Sequence, residues 1–256
     1  MVTMHVCTTY HDPGKRNHGS IHVSGANHGY SIANFGYNSG FDGFLRTKLI
    51  PLRDHLVTIT AKYSMFLDGN DIVLTSPPED ILATWEEMSG GKVVIGSELA
   101  VWPYKDLRGF LEERAFKKTQ GLSPYISIDT GLILGKTKDI ISILDTVIDS
   151  VPKYTLERPK SPVRIIEDDV GLFALNLNDG AIDVTIDYMC DIIVPIKSTM
   201  DHWFEIVDSK FHLLKTNRTP HIVHFNGHRR IDRSRMKVLS APLMGVTKNK
   251  CKKRGL

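Results

Sequence analysis

Short β-rich runs alternate with stretches of helical period along most of the chain, and the boundaries between them are marked by Gly, Pro, Asn and Asp. Residues 2–8 form a β-branched run that breaks at His11-Asp12-Pro13-Gly14, predicting a strand and a turn. Leu49, Leu52, Leu56 and Ile59 predict a helix starting near Pro51. Residues 65–67 and 72–74 predict two strands around Asp68-Gly69-Asn70-Asp71. Ser76-Pro77-Pro78-Glu79-Asp80 has a serine to cap a helix, prolines for its first turn and acids for its positive end. That helix closes at Gly90-Gly91, and residues 92–97 predict the next strand. Two apolar runs flank a polar kink at Asp129-Thr130-Gly131, and residues 136–150 carry an amphipathic helical pattern. Residues 154–163 read as a loop, and Glu167, Asp168 and Asp169 stand at the head of a further helix. Strands follow within 182–196, with Asp187 between them, and again in 221–228. This alternation predicts an α/β fold, a mixed sheet flanked by helices in one domain.

Residues 11–43 are rich in Gly, Asn, Ser and His and read as a loop after the first strand, on the side where α/β sheets receive nucleotides. Its histidines (His11, His18, His22, His28) lack the i, i+4 spacing of a zinc helix, so a histidine metal site is not expected there.

A content of 41% hydrophobic and 24% charged residues in 256 positions is that of an ordinary globular protein with a sizeable core. No apolar run approaches the length of a membrane span, and the amino terminus lacks the basic-then-apolar pattern of a secretion signal. Three widely spaced cysteines (Cys7, Cys190, Cys251) argue against a disulfide frame or a zinc cluster and fit a reducing, cytoplasmic setting. The net charge of +3 hides an asymmetry: residues 229–256 hold ten basic residues against Asp232 alone. A basic carboxy-terminal segment on an otherwise acidic body points to a polyanionic partner, with solvation of the tail as the plainer alternative.

The first chemistry candidate is Asp68-x-x-Asp71 at a strand end. Two carboxylates held close repel unless a cation lies between them, and hard divalent ions prefer oxygen ligands. A plain turn is the competing reading of these four residues. Their company adds to the picture. Ser97-Glu98-x-x-x-Trp102-Pro103, Asp129-Thr130-Gly131, Asp168-Asp169 before Leu172-Phe173, and Val223-His224-Phe225-Asn226-Gly227 follow in that order. The whole series resembles the glycosyltransferase domain of the procollagen lysyl hydroxylases and their viral or phage relatives, over residues 6–227.

That resemblance implies a single GT-A domain over residues 1–228, with 229–256 as a basic segment outside it. It also implies a UDP-sugar donor and Mn²⁺ (or Mg²⁺). Asp68, Asp71 and His224 are similar to the family's metal ligands, and Asn226 and Gly227 to residues beside the diphosphate. Thr8 is similar to a threonine that meets the nucleoside. Glu98 and Trp102 fall on positions lining the sugar and acceptor pocket. Asp168 and Asp169 fall on an acidic cluster beside the transferred sugar, where one would act as base. Two departures stand out. The family's Asn-Ser-Gly-Gly is here Asp129-Thr130-Gly131-Leu132, which would alter hydroxyl contacts to the sugar. Its lysine-bearing glycine loop is here residues 40–46, where Arg46 or Lys48 would stand in. The hydroxylase part is absent from this sequence.

For the acceptor, the basic segment favours a hydroxymethylated or hydroxylated pyrimidine in DNA, with phosphate contacts from Arg229, Arg230, Arg233 and Arg235. A protein acceptor such as hydroxylysine of a collagen-like chain, or a glycan, is the first alternative. A non-enzymatic DNA-binding module is the second. Neither the oligomeric state nor retention versus inversion is fixed by these residues.

Overall fold

The computed structural model describes residues 4–9, 20–35, 42–69, 71–197, 200, 202–208 and 210–226. Its strands are β1 (Met4–Thr9), β2 (Ile32–Asn34), β3 (Tyr63–Asp68), β4 (Ile72–Leu74), β5 (Val94–Glu98), β6 (Ser127–Lys136), β7 (Thr185–Ile186), β8 (Ile193–Pro195), β9 (Phe204–Val207), β10 (Lys210–Leu213) and β11 (Ile222–His224). Its helices are α1 (Ser20–Asn27), α2 (Ile50–Val57), α3 (Pro78–Ser89), α4 (Arg108–Thr119), α5 (Thr137–Asp149), α6 (Val151–Glu157), α7 (Val163–Ile166) and α8 (Asp169–Asn178).

The main sheet has the order β2-β1-β3-β6-β5-β7, in which β6 runs antiparallel to both its neighbours and the other pairings are parallel. A smaller sheet, β4-β11-β8, lies against it, and β9 and β10 form a hairpin. Strand alternation sorts the side chains to two faces. Cys7, Phe66, Ile95 and Ile133 meet Leu49, Leu52 and Leu56, together with Leu111 of α4, Leu144 of α5 and Phe173 of α8. Val6, Met65, Leu67 and Leu134 meet Ile21 of α1 and Ile81 and Trp85 of α3. Both faces of the sheet are thus covered, which explains the nearly unbroken apolar runs of β3 and β6.

The predicted α/β class with a mixed sheet flanked by helices is observed, with several local corrections and a second, smaller sheet. The helix expected from Pro51 begins earlier: a π-helical turn over Leu45–Leu49 runs directly into α2, and Pro51 sits in the first turn where its missing N–H costs nothing. The 11–43 segment, expected as loop, contains α1 and β2 in its described part; His11 and His18 lie outside the described residues. Ser76 does not cap α3, whose N-cap is Pro77. Its hydroxyl is instead 2.8 Å from His221 Nδ1. The 154–163 segment, expected as loop, is helical to Glu157 because Pro152 fits a first helical turn and Tyr154 is buried in the core.

The polar Asp129-Thr130-Gly131 segment does not break its strand. β6 runs through it, but its register with β5 jumps from Ile95 opposite Ile133 to Gly96 opposite Asp129. The intervening residues bulge, and bulges re-aim side chains. This irregularity lies where β1, β3 and β5 end, the end of an open α/β sheet at which ligands bind.

Asp187 explains how the chain returns from the main sheet to the small one. It is fully buried, and its carboxylate accepts the backbone N–H groups of Asp191, Ile192 and Ile193 at 2.8, 2.8 and 2.9 Å. Burial pushes its pKa up to about 7 against the pull of those donors. Asp187→Ala would strand three backbone donors, those of Ile192 and Ile193 buried and that of Asp191 part-buried. Chemical denaturation of that variant is expected to show a loss of about 3 kcal/mol or more, since each unsatisfied buried group costs roughly 1–3 kcal/mol; a loss within 0.5 kcal/mol, roughly the range of a neutral surface change, would contradict this role.

Candidate active site

Each polar side chain at the carboxyl end of the sheet is delivered by a specific backbone feature. Asp68 is the last residue of β3, opposite Thr9 of β1. Gly69 follows it where a Cβ would lie 2.4 Å from the carbonyl oxygen of Thr9, so no larger residue fits without moving the strand end. Asp71 is held next to β11 by its carbonyl, which accepts the N–H of Phe225 at 2.8 Å. His224, paired with Ile72 across that strand, is 1% exposed.

His224 stands between three carboxylates. Its Nδ1 is 2.7 Å from Asp129 Oδ2, while Nε2 is 3.4 Å from Asp71 Oδ1 and 3.8 Å from Asp68 Oδ2. Burial opposes charging the ring, but Asp129 and Asp71 outweigh it and hold the imidazole pKa well above its ordinary value. Asp129 is in turn held low against its burial, by His224 and by the Gly131 N–H that donates to Oδ1 at 2.9 Å. Gly131 also makes room for the ring: a Cβ there would lie 2.4 Å from His224 Cε1.

A second buried cation completes the floor. Lys48, 3% exposed at the end of the π-helical turn, reaches Asp169 Oδ2 at 2.7 Å, Asp68 Oδ1 at 3.0 Å and Thr130 Oγ1 at 3.3 Å. Burial works against its charge, yet Asp169 and Asp68 raise its pKa above the ordinary value. Thr130 donates to Asp169 Oδ2 at 2.6 Å, so the β6 bulge ties together the lysine and the head of α8.

A cleft of about 260 Å³ opens above this floor, lined in part by Asp68, Glu98, Trp102, Asp168, Asp169 and Asn226. Asp168 caps α8, its Oδ1 accepting the Gly171 N–H at 2.9 Å, and its Oδ2 faces the Trp102 indole N–H at 3.4 Å. Burial first, and the neighbouring Asp169 second, push its pKa up to about 6. Trp102 is 55% exposed at the rim. Asn226 donates to Glu98 Oε2 at 2.8 Å, and Lys197 lies 3.0 Å from Glu98 Oε1.

The candidates found in the sequence therefore divide. Asp68, Asp129, Thr130, Asp168, Asp169, Glu98, Trp102 and Asn226 line one cleft, and His224 joins Asp71 to its acids Asp68 and Asp129, with Gly131 against the ring. Of the two basic alternatives, Lys48 is at the floor, whereas Arg46 is exposed and pairs with Asp42. Thr8 is fully buried and its hydroxyl donates to the Leu67 carbonyl at 2.7 Å, so its side chain is engaged within the sheet and not in the cleft. Gly227, Arg229, Arg230, Arg233 and Arg235 lie outside the described residues. Lys197 and Phe44 line the cleft and were not foreseen; a lysine at the very end of the 192–196 apolar run was the available signal for the first.

The donor set fits a hard divalent ion. In an octahedral shell with metal–oxygen distances near 2.1 Å, adjacent donors stand about 3 Å apart, close to the Asp71–His224 separation. An Nδ1–H donated to Asp129 would leave Nε2 free as a ligand, the usual way an outer carboxylate orients a metal-binding histidine.

A sheet of this topology with an acidic, cation-bridged cleft at its carboxyl end is that of a GT-A glycosyltransferase. A family model described as the PLOD GT domain matches residues 9–150, and the chain belongs to that family. Among solved structures it is similar to a glycosyltransferase involved in the glycosylation of the major capsid of PBCV-1. There the TM-score is 0.51 and the identity 13%, covering 91% of this chain and 98% of that one, a likeness of fold. Mouse xyloside xylosyltransferase 1, apo form, aligns with a TM-score of 0.41 and 10% identity over 81% of this chain and 70% of that one. No curated protein matches. The chain is thus an enzyme domain that transfers sugars, and no helix among its described residues is long and apolar enough to cross a membrane.

Gly131→Ala tests the packing under His224. The added methyl must displace the ring, and divalent-metal affinity measured by calorimetry is expected to fall roughly 10- to 100-fold, the range for disturbing a ligand's support; unchanged affinity would show that the ring does not serve the ion.

Proposed function

We propose that this domain transfers a sugar from a UDP-sugar to an acceptor hydroxyl with the help of Mn²⁺ or Mg²⁺ held by Asp68, Asp71 and His224. The convergence of these three side chains from separate elements, with Nε2 within 3.8 Å of both carboxylates, is the observation that carries this reading. The bound ion supplies Lewis-acid stabilisation of the departing diphosphate. The protein's own residues do the rest. Lys48 holds Asp68 and Asp169 in place and adds positive charge beneath the cleft. Asn226, at its edge, offers an amide to the diphosphate. Asp129 keeps the His224 ring oriented.

Asp168 is the better candidate to take the acceptor proton. Asp169 is committed to Lys48 and Thr130, whereas among the described residues Asp168 Oδ2 meets only the long Trp102 contact, and its pKa near 6 suits a base close to neutrality. Below about pH 6 its carboxyl carries a proton and accepts none; above it the carboxylate is free to act. Turnover of the native enzyme should therefore fall as pH drops through 6. Asp168→Asn preserves the helix cap, because Asn caps as well as Asp, yet it should lower turnover roughly 100-fold and abolish that acid limb. A variant with native rate and native pH profile would exclude Asp168 from proton transfer.

For the acceptor we infer a hydroxylated or hydroxymethylated pyrimidine of DNA, on the strength of the ten basic residues in 229–256. A base inside a duplex would have to be flipped out to reach the cleft, where Trp102 offers a stacking face. Membership in the PLOD GT family favours a second reading, a hydroxyl on a protein such as hydroxylysine. Mass spectrometry of modified DNA and of a hydroxylysine peptide, each incubated with a panel of UDP-sugars and Mn²⁺, separates them. A hexose or pentose increment on DNA alone supports the first, and one on peptide alone the second. The Asp68→Ala, Asp71→Ala double variant should lose both transfer and UDP-sugar hydrolysis. Unchanged hydrolysis in it would defeat the metal assignment.

A further inference from the structure

Away from the cleft, three side chains with softer donor atoms meet between β1 and α2. His5 and Cys7 are two residues apart on β1, so both point to the face covered by α2. His55 comes to them from that helix. The two Nε2 atoms are 2.9 Å apart, and one ring nitrogen of each histidine and the Cys7 sulfur all lie within 4.8 Å of one another. By register His5 is opposite Ser64, four residues before Asp68. At about 3.3 Å per residue that is roughly 13 Å along the strand, so this cluster shares no ligand with the acidic site.

We propose that His5, Cys7 and His55 form a second metal site, for a thiophilic transition ion, Zn²⁺ by the chemistry of its donors. Imidazole nitrogens suit Zn, Cu, Fe and Ni, thiolate selects Zn or Cu(I), and Mn²⁺ or Mg²⁺ would be disfavoured by a set that holds a thiolate and no oxygen ligand. In a tetrahedral zinc shell with Zn–N near 2.0–2.1 Å and Zn–S near 2.3 Å, nitrogens stand about 3.3 Å apart and nitrogen and sulfur about 3.6 Å. The observed cluster needs the histidine pair to open by a few tenths of an ångström and the sulfur to close on the nitrogens by up to about 1.2 Å. Both rings have depressed proton affinity, chiefly through burial with His55 also acting on His5, so they are neutral and able to ligate. Cys7 is fully buried, and burial keeps it a thiol until an ion replaces its proton; one proton leaves for each ion bound. Both histidines are only part-buried, which leaves the ion a way in and a fourth position for water. Phe35 stacks on His55 at 5.4 Å between ring centroids and limits its rotation.

The consequence lies in what α2 continues. The helix is an extension of the turn that carries Lys48, so an ion bridging His55 to β1 would fasten the seat of that lysine from behind. The alternative is that one imidazole simply donates a hydrogen bond to the other, with no ion.

Cobalt(II) distinguishes them, because thiolate ligation gives a near-ultraviolet charge-transfer band that carboxylate ligation lacks. The full chain with Asp68→Ala and Asp71→Ala, stripped of metal under reducing conditions, should develop this band to a plateau at one Co²⁺ per chain, and Zn²⁺ should remove it. Adding Cys7→Ser should abolish the band. Adding His55→Gln should weaken binding by at least the roughly 100-fold at the upper end of the cost of disturbing a metal ligand's surroundings. Zn²⁺ should raise the melting temperature of the background protein but not of the His55→Gln form, as binding to the folded state alone requires. Absence of a thiolate band in a protein shown folded by its cooperative melt would overturn the site. So would a band that survives Cys7→Ser, or native affinity in the part-buried His55→Gln variant, which is the one expected to fold regardless.

Discussion

Four carboxylates, those of Asp68, Asp71, Asp129 and Asp169, crowd the carboxyl end of the main sheet, and two buried cations hold them there. Like charges this close would drive one another apart or take up protons. Lys48 ties Asp68 to Asp169, and His224 ties Asp129 to Asp71 and Asp68. Removing either partner of such a buried pair leaves an uncompensated charge, typically at a cost of about 3–5 kcal/mol. Even with both cations in place, the floor remains negative. A divalent ion beside Asp68 and Asp71 would be a natural counterweight, and it would take the place of the Nε2 proton of His224, which then serves as a neutral ligand.

The topology follows from this requirement. The acids come from β3, from the loop into β4, from β6 and from α8, and they meet at the sheet's carboxyl end. β6 must run antiparallel to bring its amino-terminal half to that end, and it must bulge to turn Asp129 and Thr130 toward two different cations. Gly69 and Gly131 mark where backbone and ring approach too closely for a side chain. The site is therefore built on strand ends whose other halves are locked in a two-faced core, which suits a centre whose donors must keep their spacing when the diphosphate arrives.

Much of this was legible in the chain. Apolar runs ending in acids, a late histidine followed by Asn226, and the order of these pieces sufficed for the fold class and most of the cleft. What escaped depended on three-dimensional proximity. Arg46 and Lys48 are equivalent as sequence, and only the π-helical turn makes one point inward and the other out. Thr8 and Thr9 differ by one step of strand alternation, which sends the Thr8 hydroxyl to the Leu67 carbonyl. The register jump opposite Gly96 leaves no mark in the residues, which is why a continuous strand looked like a kink. Spacing rules for cysteine and histidine were blind to His5, Cys7 and His55 because strand alternation joins the first two and helix packing supplies the third. Residues 229–256, where the charge pattern is plainest, lie outside the described structure.

The cleft also has two unlike sides. Asp68, Asp71, His224 and Lys48 form one, dense in charge, with the two acids part-exposed and the lysine and histidine buried. Trp102 and Asp168 form the other: an exposed indole whose N–H faces a carboxylate of raised proton affinity. A flat, amphipathic ring at the rim confers little discrimination between a sugar, a base and an aliphatic chain, since each presents a face to stack on. Discrimination among acceptors must then come from groups that reach beyond the rim. The two sides carry separate demands: the floor is constrained by electrostatics and tolerates little change, while the rim is free to serve different acceptors on the same transfer chemistry.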